Sequence, residues 1–217
     1  MYKFKVPKVL LITGLSLLIG CKLQAKQVHF GFSTSLIVSN ARIANKIDIY
    51  RDYRVFYPLY GFNLEGFAEY KLSNRWRIQS GLGYLKKGGI VRFGVNHYTN
   101  IIDMKLDYLQ MPLLANYYIT DRFFVSMGFE LAYLISSENK LPYPGTGLVQ
   151  FRDNAFEISG LAGVNYWISK KLGVGIRYNH GITKISVMQW TDGYGPVIGQ
   201  SNVYNQYFQL LFKIKID

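Results

Sequence analysis

The sequence has few of the residues that would indicate a disulfide framework, a metal centre or a membrane-spanning helix. Its one cysteine, Cys21, excludes a disulfide within the chain. The three histidines, His29, His97 and His180, have no metal-ligand spacing. The apolar run at 9–19 is too short for a transmembrane helix, which needs about 20 residues. We therefore expect no metal and no cofactor.

The N-terminus has the layout of a secretory signal. Three lysines precede the apolar run, and "KLQA" ends at Ala25, a small residue suited to cleavage after it. We predict a signal peptide at 1–25 and one domain at 27–217. Cys21 in "LIGC" also resembles a lipobox, in which the cysteine becomes the lipidated first residue. Lipidation of Cys21 and its removal with the signal both stay open.

Acidic residues are scarce, and none precedes Asp48. The formal net charge is +12, and removing the five lysines before residue 27 lowers it to +7. A moderate excess on an exported chain does not indicate a nucleic-acid partner. Attraction to anionic lipid or polysaccharide headgroups fits it better.

An alternation of period two runs through the mature chain. In "RFFVSMGFELAYLIS" (122–136) every odd position is apolar, whereas most even positions are small or polar and include Glu130. This period indicates a strand with two different faces. The same pattern recurs in seven other segments: 28–38, 60–72, 76–84, 109–119, 156–168, 172–182 and 204–216. Each has about ten residues, the length that crosses an outer membrane at a tilt.

The connections between these eight segments alternate strictly between short and long. The short ones are "SNR" (73–75), "TDR" (120–122) and "SKK" (169–171), and the long ones are 39–59, 85–108, 137–155 and 183–203. Short periplasmic turns and long external loops are typical of bacterial barrels. The fold class predicted is all-β, an eight-stranded antiparallel up-and-down transmembrane β-barrel, in the outer membrane of a Gram-negative bacterium.

Charged side chains fall on only one face of the predicted strands. An eight-stranded barrel has room inside only for side chains, so the small, charged face should point inward and the bulky face toward lipid. The predicted lumen network comprises Glu65, Glu69, Arg77, Glu130, Glu157 and Arg177, with Lys213 and Lys215 on the same face. It would act as a salt-bridged plug, which we favour, or as a polar conduit.

Several of these segments resemble a known family. "LDYLQMPLLANYYIT" (106–120) is similar to the "YLEIPLLLKY" strand of the PorT-like outer-membrane β-barrel family, and 81–89, 123–136, 161–185 and 205–216 resemble its pattern. The resemblance implies an eight-stranded outer-membrane barrel and permits a role as an accessory of protein secretion. The family's usual glutamate is Gln110 here, which puts an interior ion pair at that place in doubt.

These patterns leave three functions open. The first is a structural or binding barrel whose partners would be outer-membrane lipid and an envelope or secretion-machinery protein, and the second is a porin-like channel. The third, a lipid-modifying enzyme, would draw on Asp192, His97, Ser186 and Ser201, but nothing fixes these residues as a triad, so we predict no enzyme. The basic and aromatic connection 39–59 suits a glycan, lipid or protein partner, and Lys87 and Arg92 suit headgroup contacts.

Overall fold

The computed structural model describes residues 27–44, 55–95, 98–140, 148–191 and 197–216, and nearly all of them lie in strands. No helix in these ranges is long and apolar enough to cross a membrane. The strands are β1 (Val28–Ala44), β2 (Val55–Tyr57), β3 (Leu59–Lys71), β4 (Trp76–Val95), β5 (Tyr98–Tyr118), β6 (Phe123–Lys140), β7 (Leu148–Asp153), β8 (Phe156–Trp167), β9 (Leu172–Gly181), β10 (Ser186–Thr191) and β11 (Val197–Lys215).

Eight of these strands form a closed antiparallel barrel, in the order β1-β3-β4-β5-β6-β8-β9-β11. β11 pairs with β1 from Lys215 opposite Gly31 to Asn202 opposite Ala44, which closes the ring and leaves no free edge. The predicted fold class is confirmed. The three remaining strands lie outside this ring order, since β2 pairs with β4, and β10 pairs with β11 and β7.

Side chains alternate between the outer surface and the lumen as the period of two predicts. On β6, Phe129 is 57% exposed whereas its neighbour Glu130 is fully buried. The outer surface is an apolar band that contains Phe30 to Val38 on β1 and Phe123 to Ile135 on β6. Large exposed apolar side chains on every strand of a closed barrel indicate contact with lipid, because water would not stabilise such a surface.

The three short turns share one hydrogen-bonding pattern. The side-chain oxygens of Ser73, Thr120 and Ser169 each accept bonds from the backbone N–H groups two and three residues later. A hydroxyl at the first turn position can accept hydrogen bonds from turn N–H groups that have no partner in the neighbouring strand. The "S/T-x-x" start of each turn therefore explains why these connections are so short.

The four long connections contain more strand than predicted. β4 and β5 stay paired up to Val95 opposite Tyr98, so 85–108 is largely a β-hairpin. β1 extends to Ala44, and β7, β10 and the start of β11 occupy parts of the other connections. These regions were predicted as loops because strands were recognised in the sequence only where one face was apolar. That prediction was wrong here. Lys86, Lys105 and Asp107 on the outward face instead indicate that these strand ends lie beyond the lipid.

Gly83 lies where two strands approach closely inside the barrel. A Cβ atom at this position would lie 2.4 Å from the carbonyl oxygen of Leu64, whereas one at Gly66 would lie 3.6 Å from the Phe32 ring. We expect Gly83→Ala to lower the free energy of unfolding by about 1–3 kcal/mol, because backbone must move. Urea titration of the refolded barrel measures it. Gly66→Ala is the control and should be neutral, and equal losses would contradict this packing.

Candidate functional site in the barrel lumen

All six residues of the predicted lumen network point into the barrel, where they lie in three layers. Glu130 and Glu157 are in the outer layer, toward the long connections. Glu65 and Arg177 are in the middle layer. Glu69 and Arg77 are in the inner layer, nearest the short turns. Each layer joins carboxylates to cations from other strands, as buried charges require.

The outer layer is built around Lys87. Its Nζ atom lies 2.9 Å from Glu157 and 3.8 Å from Glu130, and all three side chains are essentially inaccessible. The Tyr207 hydroxyl lies 2.8 Å from each Glu130 oxygen and donates to that carboxylate. The predicted headgroup contact of Lys87 is therefore wrong. Lys87 continues the inward register of Gly81 and Gly83 on β4, so the alternation alone could have placed it inside.

Amide groups complete the outer layer. Asn179 donates to Glu130 at 3.3 Å and to Tyr207 at 2.9 Å, while Asn205 donates to Glu157 at 3.0 Å. These side chains come from β9 and β11, on the wall that faces Lys87. Such bonds satisfy carboxylate oxygens that a single lysine cannot reach.

The middle layer centres on Glu65. Gln79 and Gln110 each donate to this carboxylate at 3.4 Å, and Arg177 Nη1 lies 3.9 Å away. Gln110 gives Glu65 a neutral hydrogen-bond donor rather than a charged partner. A second acid at this position would crowd Glu65 with like charge. A neutral glutamine therefore suits a layer that already holds one carboxylate.

The inner layer surrounds Glu69 with cations. Arg77 donates to Glu69 at 2.8 Å, and Lys215 lies 3.7 Å from the same oxygen. Asn116 donates to the second oxygen at 3.0 Å. Two cations against one acid give this layer the opposite balance to the outer one, where Lys87 faces two acids.

An aromatic stopper, defined as Tyr118, Phe124 and Trp167, closes the turn end of the lumen. Tyr118 and Phe124 stack with centroids 4.5 Å apart, and Trp167 donates from Nε1 to the Tyr118 hydroxyl at 3.1 Å. Arg77 lies 3.9 Å over the Tyr118 ring, and Lys215 lies 4.2 Å over Trp167. Cation–π contacts hold the rings in place.

The opposite end is closed by an apolar stopper. β3 begins only at Leu59, so on the side of the long connections β1 packs directly on β4. There the Ser39 hydroxyl lies 2.8 Å from the Gly88 carbonyl oxygen. The cluster consists of Ile37, Ala41, Ile43, Leu85, Met104, Leu106, Tyr108, Ala132, Ile185, Val203 and Tyr207. All are buried. Polar layers thus lie between two water-excluding ends.

The other predicted residues form no second site in the described part of the chain. Cys21, His97, Asp192 and the Arg92 side chain lie outside it, as does most of the basic connection at 45–54. Ser186 and Ser201 are buried in β10 and β11. Among the described residues, no group of three or more His, Cys, Asp or Glu could hold a metal.

A closed barrel with a lipid-facing apolar band and a polar, side-chain-filled interior defines a transmembrane β-barrel of the outer membrane. Residues 22–187 match the model of the outer membrane protein beta-barrel domain. The chain belongs to that family, and its location is the outer membrane of a Gram-negative bacterium.

Solved structures of outer-membrane proteins are similar to this chain at low sequence identity. The outer membrane protein OprG from Pseudomonas aeruginosa matches with TM-score 0.50 and 12% identity, over 87% of this chain and 94% of its own. Neisserial surface protein A matches with TM-score 0.46 and 15% identity, over 86% and 97%. Ail of Yersinia pestis matches with TM-score 0.43 and 12% identity, over 87% and 99%. No curated protein matches the chain in sequence.

Proposed function

We propose that the protein is a non-conducting, non-enzymatic barrel that anchors a rigid binding rim in the outer membrane. The single observation that carries this proposal is the lumen closed at both ends. Ions crossing it would have to displace the aromatic stopper, three layers of paired charges and the apolar stopper. A porin-like conduit needs continuous water, which an eight-stranded barrel filled with side chains does not hold.

The rim has the form of a binding platform because paired strands rise beyond the apolar band. From Lys86 opposite Asp107 to Val95 opposite Tyr98, β4 and β5 continue for ten residue pairs. At about 3.4 Å per residue, the hairpin extends about 30 Å along its strands. A paired hairpin loses less conformational entropy on binding than a flexible loop does.

The resemblance to the PorT-like family makes an accessory of protein secretion the most specific form of this proposal. The rim would then dock an envelope protein of the secretion machinery. Within the described part of the rim, Ser186 and Ser201 give no support to catalysis, because both are buried.

Planar-bilayer recording tests the sealed lumen. We expect the purified barrel to insert without measurable single-channel conductance, and Glu130→Gln and Arg177→Gln to stay silent as well. Phe124→Ala, which removes the centre of the aromatic stopper, should at most produce brief, small openings. Steady conductance of the wild-type protein that changes in the Glu130→Gln variant would establish a channel instead.

Cross-linking in native membranes tests the binding rim. A variant in which 90–101 are replaced by an Asn-Gly turn keeps the barrel strands and removes the hairpin tip. We expect a partner cross-linked to the intact protein to be absent with this variant. A matched variant of the short turn 73–75 on the opposite rim should keep the partner. Unchanged cross-linking without the hairpin would contradict the role of this rim.

A further inference from the structure

The lipid-facing surface carries a groove across β5, β6, β8 and β9. It has a volume of about 520 Å³, and its lining includes Ala115, Phe129, Gly160, Ala162, Tyr178 and His180. Small residues create the depression on an otherwise bulky wall. A Cβ atom at Gly160 would meet only the Ile182 side chain, at 3.9 Å. The lining of the groove is almost wholly apolar.

A cationic group lies at the upper end of this groove. Arg42 of β1 reaches across β11, with its guanidinium 4.7 Å from the centroid of the Tyr204 ring. Its Nη2 atom lies 3.5 Å from His180 Nε2 and donates to the Gly181 carbonyl at 3.4 Å. Within the described ranges no carboxylate lies within salt-bridge distance of Arg42, and its Nε atom has no hydrogen-bond partner there.

The hydrogen bonds of His180 leave the Tyr178 hydroxyl as a donor at the groove. A guanidinium can only donate, so when His180 Nε2 accepts its hydrogen bond the ring proton lies on Nδ1. That proton is donated to the Tyr178 hydroxyl oxygen, 3.1 Å away. The hydroxyl hydrogen of Tyr178 is then available to a ligand. Arg42 and Tyr178 together offer a positive charge and a hydrogen-bond donor at the upper end of the apolar groove.

We propose that this groove binds a phosphate-bearing acyl lipid of the outer leaflet, with an acyl chain along Gly160 and Ala162 and the phosphate at Arg42. Charge complementarity selects this occupant, because a phosphate supplies the negative charge that no carboxylate of the described residues brings to the guanidinium. The outer leaflet follows from the position of Arg42, which is on the rim of the long connections. Lipid binding at this outer groove does not depend on whether the lumen conducts.

Native mass spectrometry of the detergent-solubilised full-length barrel tests the site with two matched probes. Dimyristoyl phosphatidic acid and dimyristoylglycerol carry the same chains and differ in the phosphate. We expect a retained adduct with phosphatidic acid only. Arg42→Met should weaken it about tenfold or more, since a charge-assisted bond is lost. Gly160→Leu, which fills the trough, should weaken it similarly.

Two control variants distinguish this groove from general lipid contact. Lys86→Met removes an outward cation on β4, and Gly66→Leu adds the same side chain at an outward glycine of β3 that does not line the groove, so both should leave the adduct unchanged. Heat-modifiable mobility in gels verifies that each variant is folded. The proposal is overturned by equal retention of dimyristoylglycerol, by an Arg42→Met variant that binds like wild type, or by displacement of the lipid with millimolar inorganic phosphate.

Discussion

Lys87→Met is expected to lower the free energy of unfolding by about 3–5 kcal/mol, the largest effect of any single change considered for this barrel. Lys87 is the only cation within salt-bridge distance of Glu130 and Glu157 among the described residues. Methionine keeps most of the side-chain volume, so the loss reports charge and not a cavity. Both acids would remain buried without a counterion, and water cannot reach them to compensate.

The neighbouring lysine is a matched control for this prediction. Lys86 faces outward, is 38% exposed, and lies 4.0 Å from Asp107. Lys86→Met should change stability by less than about 1 kcal/mol, because exposed pairs contribute little. Urea titration of refolded protein, followed by tryptophan fluorescence, measures both variants. Equal losses would show that the lumen pair contributes no more than a surface pair.

A triple variant distinguishes unpaired charge from general disruption of the layer. Glu130→Gln and Glu157→Gln, added to Lys87→Met, leave only neutral groups of similar shape. We expect the triple variant to be more stable than Lys87→Met alone, since the uncompensated anions are gone. A further loss on adding the two glutamines would instead mean that the acids are stabilised by Tyr207, Asn179 and Asn205 without the lysine.

Phe129→Lys has the second-largest expected effect, a loss of about 2–4 kcal/mol, because it places a charge in the middle of the apolar band. Phe129 is the central one of the seven outward residues from Phe123 to Ile135 on β6. Ile135→Lys puts the same charge at the end of that row, where the cost should fall to about 0–1 kcal/mol. Titration in lipid vesicles measures both.

The depth dependence is the decisive part of this second prediction. If water covered the outer face, both lysines would be solvated and both variants would unfold at similar urea concentrations. Similar midpoints would therefore remove the basis for a lipid-facing surface. A large gap between the two, with Phe129→Lys the less stable, is what a bilayer about 30 Å thick requires.

The inward direction of Glu130 and of the other charges on the alternating strands followed from the sequence, whereas Lys87 was predicted to face headgroups, and the partner of each charge did not follow. Glu130 alternates with Phe129 and Leu131, and this local period is enough to place it inside. Its cation, Lys87, lies on β4, with β5 between the two strands. Which charges meet across a barrel depends on how far neighbouring strands are shifted in register when the ring closes. That shift cannot be read from any single segment of the sequence.

The extent of the strands shows the same division. Within the band, the bulky face revealed every membrane-crossing segment. Beyond it, β4 and β5 carry Lys86, Lys105 and Asp107 outward, so the apolar signal ends although the ladder continues. Backbone pairing does not need an apolar face once the strand has left the lipid. The hydropathy pattern therefore underestimated the length of the strands at the rim.

The sequence by itself determined the number of barrel strands, the face each turns to lipid, and the three short turns, because these depend on a period of two and on single turn residues. Only the tertiary structure decided that Lys87 neutralises Glu157, that the lumen is closed by Tyr118, Phe124 and Trp167 at one end and by apolar residues at the other, and that Arg42 reaches His180 across β11. Those contacts join strands far apart in the chain, and they exist only after the ring has closed in one register.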